Sequence, residues 1–136
     1  MRIAIFIALA AYGIPALAQM TPGEWEFTST MTSAMLPAPQ TSTVTQCITK
    51  AEAEDPTRFA NRGQPQDCQM TPGARTAGTF EWAIACPKVG MRGTGKARFG
   101  ASNIESEMYM TMESQGQKME MRSSSRGRYV GPCKTK

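Results

Sequence analysis

The sequence of 136 residues contains no histidine, and this absence removes whole classes of chemistry. A neighbouring histidine usually activates a serine or cysteine nucleophile, and histidine is also the commonest metal ligand in proteins. The four cysteines include no C-x-x-C pair, which is the usual spacing of a structural zinc site. We therefore expect a protein that is not an enzyme and that holds no zinc.

Motifs for cofactors and nucleic acid are also missing. The stretch from Gly90 to Lys96 fits G-x-x-x-x-G-K, but Ala97 stands where a nucleotide-binding loop needs a serine or threonine. Basic residues crowd the tail from Lys118 onwards, yet Tyr129 alone supplies an aromatic ring there, whereas grooves for single strands interleave aromatic residues with charges. We expect no cofactor and no nucleic-acid partner.

Long apolar runs are confined to the beginning of the chain. Arg2 precedes the apolar run Ile3–Ile14, and a small-x-small motif follows at residues 16–18, which is the pattern of a secretory signal peptide. The run is too short to span a bilayer comfortably, and we expect no transmembrane segment in the mature chain. The predicted organisation is a signal peptide at 1–18 and a single exported β domain at 19–136, located in the periplasm.

Four cysteines lie in the exported part, and an even number in an oxidising compartment indicates two disulfides. Three connectivities are possible from the sequence alone. The segments on either side of the turn that begins at Pro72 resemble the strands of a hairpin. A register with Cys68 opposite Cys86 also sets Met70 opposite Ile84 on one apolar face. We therefore predict a Cys68–Cys86 bridge, which leaves Cys47 and Cys133 for the second.

Alternation of apolar and polar residues dominates the exported part and predicts antiparallel strands. GEWEFTSTMTS places Trp25 and Phe27 on one face, and TFEWAIAC places Trp82 on the apolar face of a later strand. A capping box from Thr49 to Glu52 predicts a short helix near residues 50–61. Glycines inside VGMRGTGKARFG indicate a bend. The predicted fold is all-β: a curled antiparallel meander or open barrel of about seven strands with one short helix and two disulfides.

Methionine is unusually frequent, with eleven in the chain, and five of them alternate through EMYMTMESQGQKMEM at residues 107–121. With an even-length loop, Met112 faces Met119 and Met110 faces Met121, with Met108 on the same face. Three interpretations remain open. The five methionines form part of the core, line a cavity for an apolar ligand, or bind soft ions such as Cu(I) or Ag(I) through their thioethers.

Several short motifs together resemble a known family. They are Pro22-Gly23-Glu24-Trp25-Glu26, then Gln46-Cys47-Ile48-Thr49, then the grouping of Cys68, Trp82 and Cys86, and finally Gly131-Pro132-Cys133. Over essentially all of its exported part the chain is similar to the bacterial domain of unknown function 3617 family, whose members start P-G-x-W-E, carry Q-C-[VI]-T and finish G-P-C. The tail at residues 126–130 departs from the G-R-R-L that is more usual there.

The resemblance implies a small exported protein with a disulfide-bonded, mainly antiparallel sheet, and it implies no activity. The methionine-rich strands before the final G-P-C also look like those of the family. Together with the absences above, this predicts a non-catalytic protein of the cell envelope that binds another protein or an apolar small molecule. The candidate binding residues are Trp25, Phe27, Trp82, Met108, Met110, Met112, Met119 and Met121. The alternative function is soft-metal binding by the five methionines.

Overall fold

A computed structural model describes residues 20–62, 64 and 66–134, and the predicted signal peptide lies outside them. Seven strands and two short helices make up this part of the chain. In chain order they are β1 (Gly23–Ser33), β2 (Gln40–Ile48), α1 (Lys50–Glu54), α2 (Pro56–Asn61), β3 (Gln69–Arg75), β4 (Thr79–Cys86), β5 (Met91–Phe99), β6 (Asn103–Ser114) and β7 (Gln117–Gly131). A short 3₁₀ turn, Pro87–Val89, links β4 to β5.

All seven strands form one antiparallel sheet in the order β2-β1-β7-β6-β5-β4-β3. Strands β3 to β7 follow one another as a meander, and the first hairpin then joins the sheet because β1 pairs with β7. The two helices lie on the connection that leads from β2 at one edge to β3 at the other. Because β2 and β3 are separate edges, the sheet is not closed, and the predicted seven-stranded antiparallel architecture is confirmed.

The predicted helical segment is divided in two at Asp55. This residue is extended, with φ −132° and ψ 94°, and it ends α1 while its side chain accepts a hydrogen bond from the Thr57 amide at 3.1 Å. The cause is Pro56, because the proline ring disfavours helical geometry in the residue before it and is well tolerated at the first position of a new helix. One continuous helix over residues 50–61 is therefore excluded by local sterics.

The capping box predicted at the start of α1 is present. The Thr49 hydroxyl accepts from the Glu52 amide at 3.3 Å, and the Glu52 carboxylate accepts from the Thr49 amide at 2.9 Å. Arg62, beyond α2, donates from Nε to Glu52 at 2.9 Å and from Nη2 to the Cys47 carbonyl at 2.9 Å. Both helices are thereby fastened to the end of β2.

The core lies on the apolar face of the sheet, at the end where Trp25 pairs with Tyr129. Helix α2 covers this end through Phe59, whose ring stacks on Phe27 with 5.5 Å between centroids. The buried side chains of the cluster are Met20, Trp25, Phe27, Ile48, Ala53, Phe80 and Phe99. Alternation in β1 explains this arrangement, because Trp25 and Phe27 share one face of the strand.

Both predicted disulfides are present. Cys47 at the end of β2 is bridged to Cys133 with 5.4 Å between Cα atoms, and Cys68 is bridged to Cys86 with 4.1 Å. Met70 lies opposite Ile84, as the register argument requires. Two disulfides are consistent with an extracytoplasmic protein. Within the described ranges, neither helix has the length and apolarity needed to cross a bilayer.

Candidate binding surfaces

Six methionines from three neighbouring strands lie side by side on the apolar face. We call this group the methionine surface: Met91, Met108, Met110, Met112, Met119 and Met121. The predicted pairs are confirmed, because Met112 lies opposite Met119 and Met110 lies opposite Met121. Met91 of β5 extends the first pair to a row of three.

A two-residue turn fixes this register. Gln115 and Gly116 have φ values of 53° and 75°, and positive φ at both central residues is the mark of a type I′ turn. A two-residue loop sets Ser114 opposite Gln117. Counting back along both strands in steps of two then sets Met112 opposite Met119 and Met110 opposite Met121, on one face of the sheet. The local conformation at Gln115 and Gly116 therefore places the methionines of both strands together.

The methionine surface is the less enclosed part of the apolar face. All six side chains are half-buried, and Met31 at the same level of β1 is 39% exposed. The core cluster takes Ile104 from β6 and Tyr129 from β7, at the ends of these strands away from their turn. The methionines occupy the turn end of the same face, and a row formed by Ser29, Ser125 and Ser106 separates them from the core cluster.

Glycines in β5 make room for the neighbouring side chains. A Cβ at Gly93 would lie 2.9 Å from Met110 Cγ and 3.2 Å from Ile84 Cγ2, both closer than ordinary contacts. A Cβ at Gly95 would collide with the indole of Trp82. The absence of side chains at these positions allows Trp82, Ile84 and Met110 to lie over β5, which is the close approach that strand glycines commonly mark.

The predicted binding residues divide into two groups. Trp25 and Phe27 are 0% and 8% exposed and belong to the core, where the Trp25 indole donates to the Thr21 carbonyl at 2.9 Å. Trp82 is half-buried and stacks on Phe80 with 5.5 Å between centroids. The five predicted methionines come together next to them. Trp25 and Phe27 are thus interior, whereas Trp82 and the five methionines are half-buried.

The opposite, polar face carries a groove that the sequence reasoning did not identify. Its volume is about 870 Å³, and it crosses the sheet from β1 to β3. Its main polar lining residues are Thr30, Thr32, Thr71, Glu81, Thr94, Lys96, Glu107, Tyr109, Arg122 and Ser124. A second cavity of about 500 Å³ lies on the same face. These residues alternate with the apolar ones, and in the sequence they are indistinguishable from a solvated strand face.

Charged and aromatic groups in the groove interact with one another. Lys96 Nζ lies 3.4 Å from Glu81 Oε1 on the neighbouring strand, and the Arg122 guanidinium lies 5.6 Å above the Tyr109 ring. A hydrogen bond to the Glu120 carboxylate raises the pKa of Tyr109, because it favours the protonated phenol. Such pairs across strands are the ordinary stabilising contacts of an exposed sheet face.

Comparison with known proteins gives one result. A family model described as Protein of unknown function (DUF3617) matches residues 20–133, which is most of the chain and agrees with the motif resemblance. Searches of curated proteins and of solved structures found no significant match.

Proposed function

The chain belongs to the DUF3617 family, and on that premise we propose that it is a non-catalytic, periplasmic binding protein whose methionine surface docks an apolar segment of a partner protein. One observation carries the proposal: beyond the core and a row formed by Ser29, Ser125 and Ser106, the same face of the sheet carries a group of six half-buried methionines. Clustered apolar side chains that stay accessible on a folded protein commonly mark interaction sites.

Methionine suits such a surface for a physical reason. Its side chain is unbranched, has three rotatable bonds and ends in a polarisable thioether, so that it adapts to partners of different shape. Proteins that bind several partners use methionine-rich surfaces in this way. Met110 and Met121 lie at the centre of the surface, beside the space left by Gly93, and we expect them to contribute most.

A protein segment fits this surface better than an enclosed small ligand. The surface extends over three strands, which corresponds to about 10 Å across the sheet at the usual strand spacing. Both cavities described above are lined mainly by residues of the polar face, and Met108 is the single member of the methionine surface that borders one of them. An open apolar patch of this width accommodates one strand or one helix of a partner.

The polar groove is the weaker candidate for the binding site. Lys96 already pairs with Glu81, and Arg122 already covers Tyr109. A ligand in the groove would have to displace these contacts, whereas a partner on the methionine surface removes apolar area from water. The hydrophobic contribution of such burial is about 25 cal/mol per Å².

The proposal is tested by site-specific photocrosslinking in the exporting cell. A benzophenone-bearing residue is introduced at Met121 and, as a matched control, at Met35, which is 71% exposed and lies in the turn between β1 and β2. We expect a discrete protein adduct from position 121 and none from position 35. Equal labelling at both positions, or no adduct at position 121, would contradict the proposal.

Soft-metal binding is the second candidate, favoured by the confirmed register. Opposite residues on adjacent strands have their Cβ atoms about 5 Å apart, so Met110 with Met121 and Met112 with Met119 bring four thioethers close together. Thioethers suit Cu(I) and Ag(I). Titration with Cu(I), followed through the methionine methyl resonances, would shift these four signals at stoichiometric metal. Unmoved resonances would eliminate this candidate, and replacing Met110 and Met121 by leucine provides the control.

A further inference from the structure

The two edges of the sheet differ in how they are protected against pairing with another strand. Edge strand β3 contains Pro72, which has no amide hydrogen, and its register with β4 shifts between Pro72 and Arg75. Proline, charge and irregularity are the devices by which proteins protect exposed edges. Edge strand β2 has none of them: Gln40–Ile48 contains no proline and no charge, and it pairs with β1 in unbroken register.

The accessible part of the β2 edge is bounded at both ends. Pro39 immediately precedes it, and at the other end the Arg62 guanidinium donates to the Cys47 carbonyl at 2.9 Å. Between these limits all the residues from Gln40 to Gln46 are exposed. Seven residues is a typical strand length, and it is long enough for a complete additional strand to pair along the edge.

The sequence of this segment is almost the same in both directions. Gln40-Thr41-Ser42-Thr43-Val44-Thr45-Gln46 repeats glutamine and threonine symmetrically around Thr43, and only Ser42 and Val44 differ. Two antiparallel copies related by a two-fold axis at Thr43 would therefore set like residues opposite each other. A two-fold interface requires such self-complementarity, because the same surface is used on both copies.

We propose that the β2 edge is a dimerisation site, at which two copies of this chain pair antiparallel around Thr43. In this register Thr43 faces Thr43, and Thr41 faces Thr45 of the second copy. The contact within the monomer shows the same chemistry, since the hydroxyls of Thr43 and Thr28 lie 3.1 Å apart and those of Thr41 and Thr30 lie 3.0 Å apart. Each hydroxyl has one donor and two acceptor positions, so it can serve both neighbours.

The absence of charge on the edge is what favours a second copy as the partner. The chain as a whole has a formal net charge of +4, which disfavours self-association at most of its surface. Residues 40–46 bring no charged side chain to the contact, and threonine, serine and valine suit a paired strand. The pairing also satisfies the backbone amides and carbonyls that an edge strand otherwise leaves to water.

The dimer would place two methionine surfaces on one side of a continuous sheet. Directly opposite residues in an antiparallel pair share a face, so the two-fold axis runs through the sheet and keeps both apolar faces together. This consequence rests on the proposed function, whereas the dimer itself does not. Two such surfaces on one particle would allow a partner with two apolar segments to bind with a higher effective concentration.

Sedimentation velocity on the exported, disulfide-bonded protein tests the dimer over a range of concentrations. We expect a monomer–dimer equilibrium that Thr43→Lys weakens by about tenfold or more, because the substituted side chains then face each other across the two-fold axis. Thr71→Lys on the β3 edge is the matched control and should leave the equilibrium unchanged, since Thr71 is also an exposed edge threonine. Circular dichroism should show that both variants retain the fold.

A mixing experiment distinguishes the proposed register from other contacts. Thr43→Lys and Thr43→Glu are each expected to be monomeric, and their mixture should form a heterodimer because opposite charges meet at the axis. An unsubstituted protein that stays monomeric at every concentration would overturn the proposal. So would a dimer that withstands Thr43→Lys, one that Thr71→Lys disrupts equally, or a mixture that stays monomeric. Loss of the photocrosslink at Met121 with the dimer intact would reject only the proposed function.

Discussion

Among single residues, Glu52 and Arg62 together link the helical segment to the sheet. The Glu52 carboxylate accepts from the Thr49 amide and from Arg62, while Arg62 also holds the end of β2 through the Cys47 carbonyl. The Glu52 side chain is only 14% exposed, so that solvent screens this ion pair less than an open surface pair. A single carboxylate thus connects helix α1, the segment after α2 and the edge of the sheet.

The hydrogen bond from Arg62 lowers the pKa of Glu52 below its ordinary value. Because the pKa is lower in the folded protein, the charged carboxylate stabilises the fold at pH values above the pKa of the unfolded chain. This stabilisation is lost as the pH falls through the pKa of the folded protein. We expect Glu52→Gln to lower the free energy of unfolding by about 1 kcal/mol near neutral pH and by much less near pH 3.

Urea unfolding at the two pH values measures this difference. Glu54→Gln, which changes an exposed carboxylate of the same helix, should have little effect at either pH. A Glu52→Gln penalty that is the same at both pH values would contradict the assignment of the stabilisation to the charged carboxylate.

At the scale of elements, the turn between β6 and β7 determines which side chains share the methionine surface. Gln115 has a φ of 53°, which costs a residue with a Cβ some free energy, whereas Gly116 at 75° adopts its conformation freely. Asn-Gly is the pair most favoured in type I′ turns. The natural sequence therefore has the second of the two preferred residues and lacks the first.

Gln115→Asn should stabilise this hairpin. We expect a gain of about 0.5 kcal/mol in the free energy of unfolding, because asparagine tolerates positive φ better than glutamine. Gln117→Asn, which lies in β7 just beyond the turn, is the control and should give no gain. The measurement is again urea unfolding, and a loss of stability in Gln115→Asn would show that the turn has another conformation in solution.

Elements with a local cause could be predicted from the sequence, and those with a distant cause could not. Alternation identified the strands, the Thr49 to Glu52 motif identified the capping box, and one hairpin register identified the Cys68–Cys86 bridge. The division of the helical segment at Asp55 also has a local cause, in the proline that follows it. The pairing of β1 with β7 joins residues a hundred positions apart, and no local pattern indicates it.

The candidate site, too, could be predicted from the sequence only in part. The register of the methionine pairs followed from loop length, and the structure confirms it. The exposure of each member did not follow, because alternation alone cannot distinguish Phe27 under helix α2 from Met121 beyond it. The polar groove could not be predicted either, since its lining residues come from six strands.

At the scale of the whole molecule, the Cys47–Cys133 bridge connects the β2 edge to the segment after β7, across a sequence separation of 86 residues. In the chain-entropy model, closing a loop of this length stabilises a protein by about 4.5 kcal/mol. That is a large share of the ~5 to 15 kcal/mol by which domains are normally stable. The bridge holds the first hairpin and helix α1 against the rest of the sheet.

Replacing Cys47 and Cys133 together by alanine should remove most of this stabilisation. Cys47 is exposed and Cys133 is half-buried, so that the two substitutions remove little packing and report mainly on the closed loop. We expect a loss of several kcal/mol, about 3 to 5, in urea unfolding. A loss below about 1 kcal/mol would indicate that β1–β7 pairing alone fixes these segments.

Oxidation of the folded protein by hydrogen peroxide tests whether the methionine surface is accessible or sealed in the core. Mass spectrometry gives a rate of sulfoxide formation for each methionine, and this rate follows the exposure of the thioether. We expect Met35, 71% exposed, to react fastest, Met20, 3% exposed, to react slowest, and Met110, Met112, Met119 and Met121 to react at intermediate rates. Rates for these four as slow as that of Met20 would show that the methionine surface is sealed.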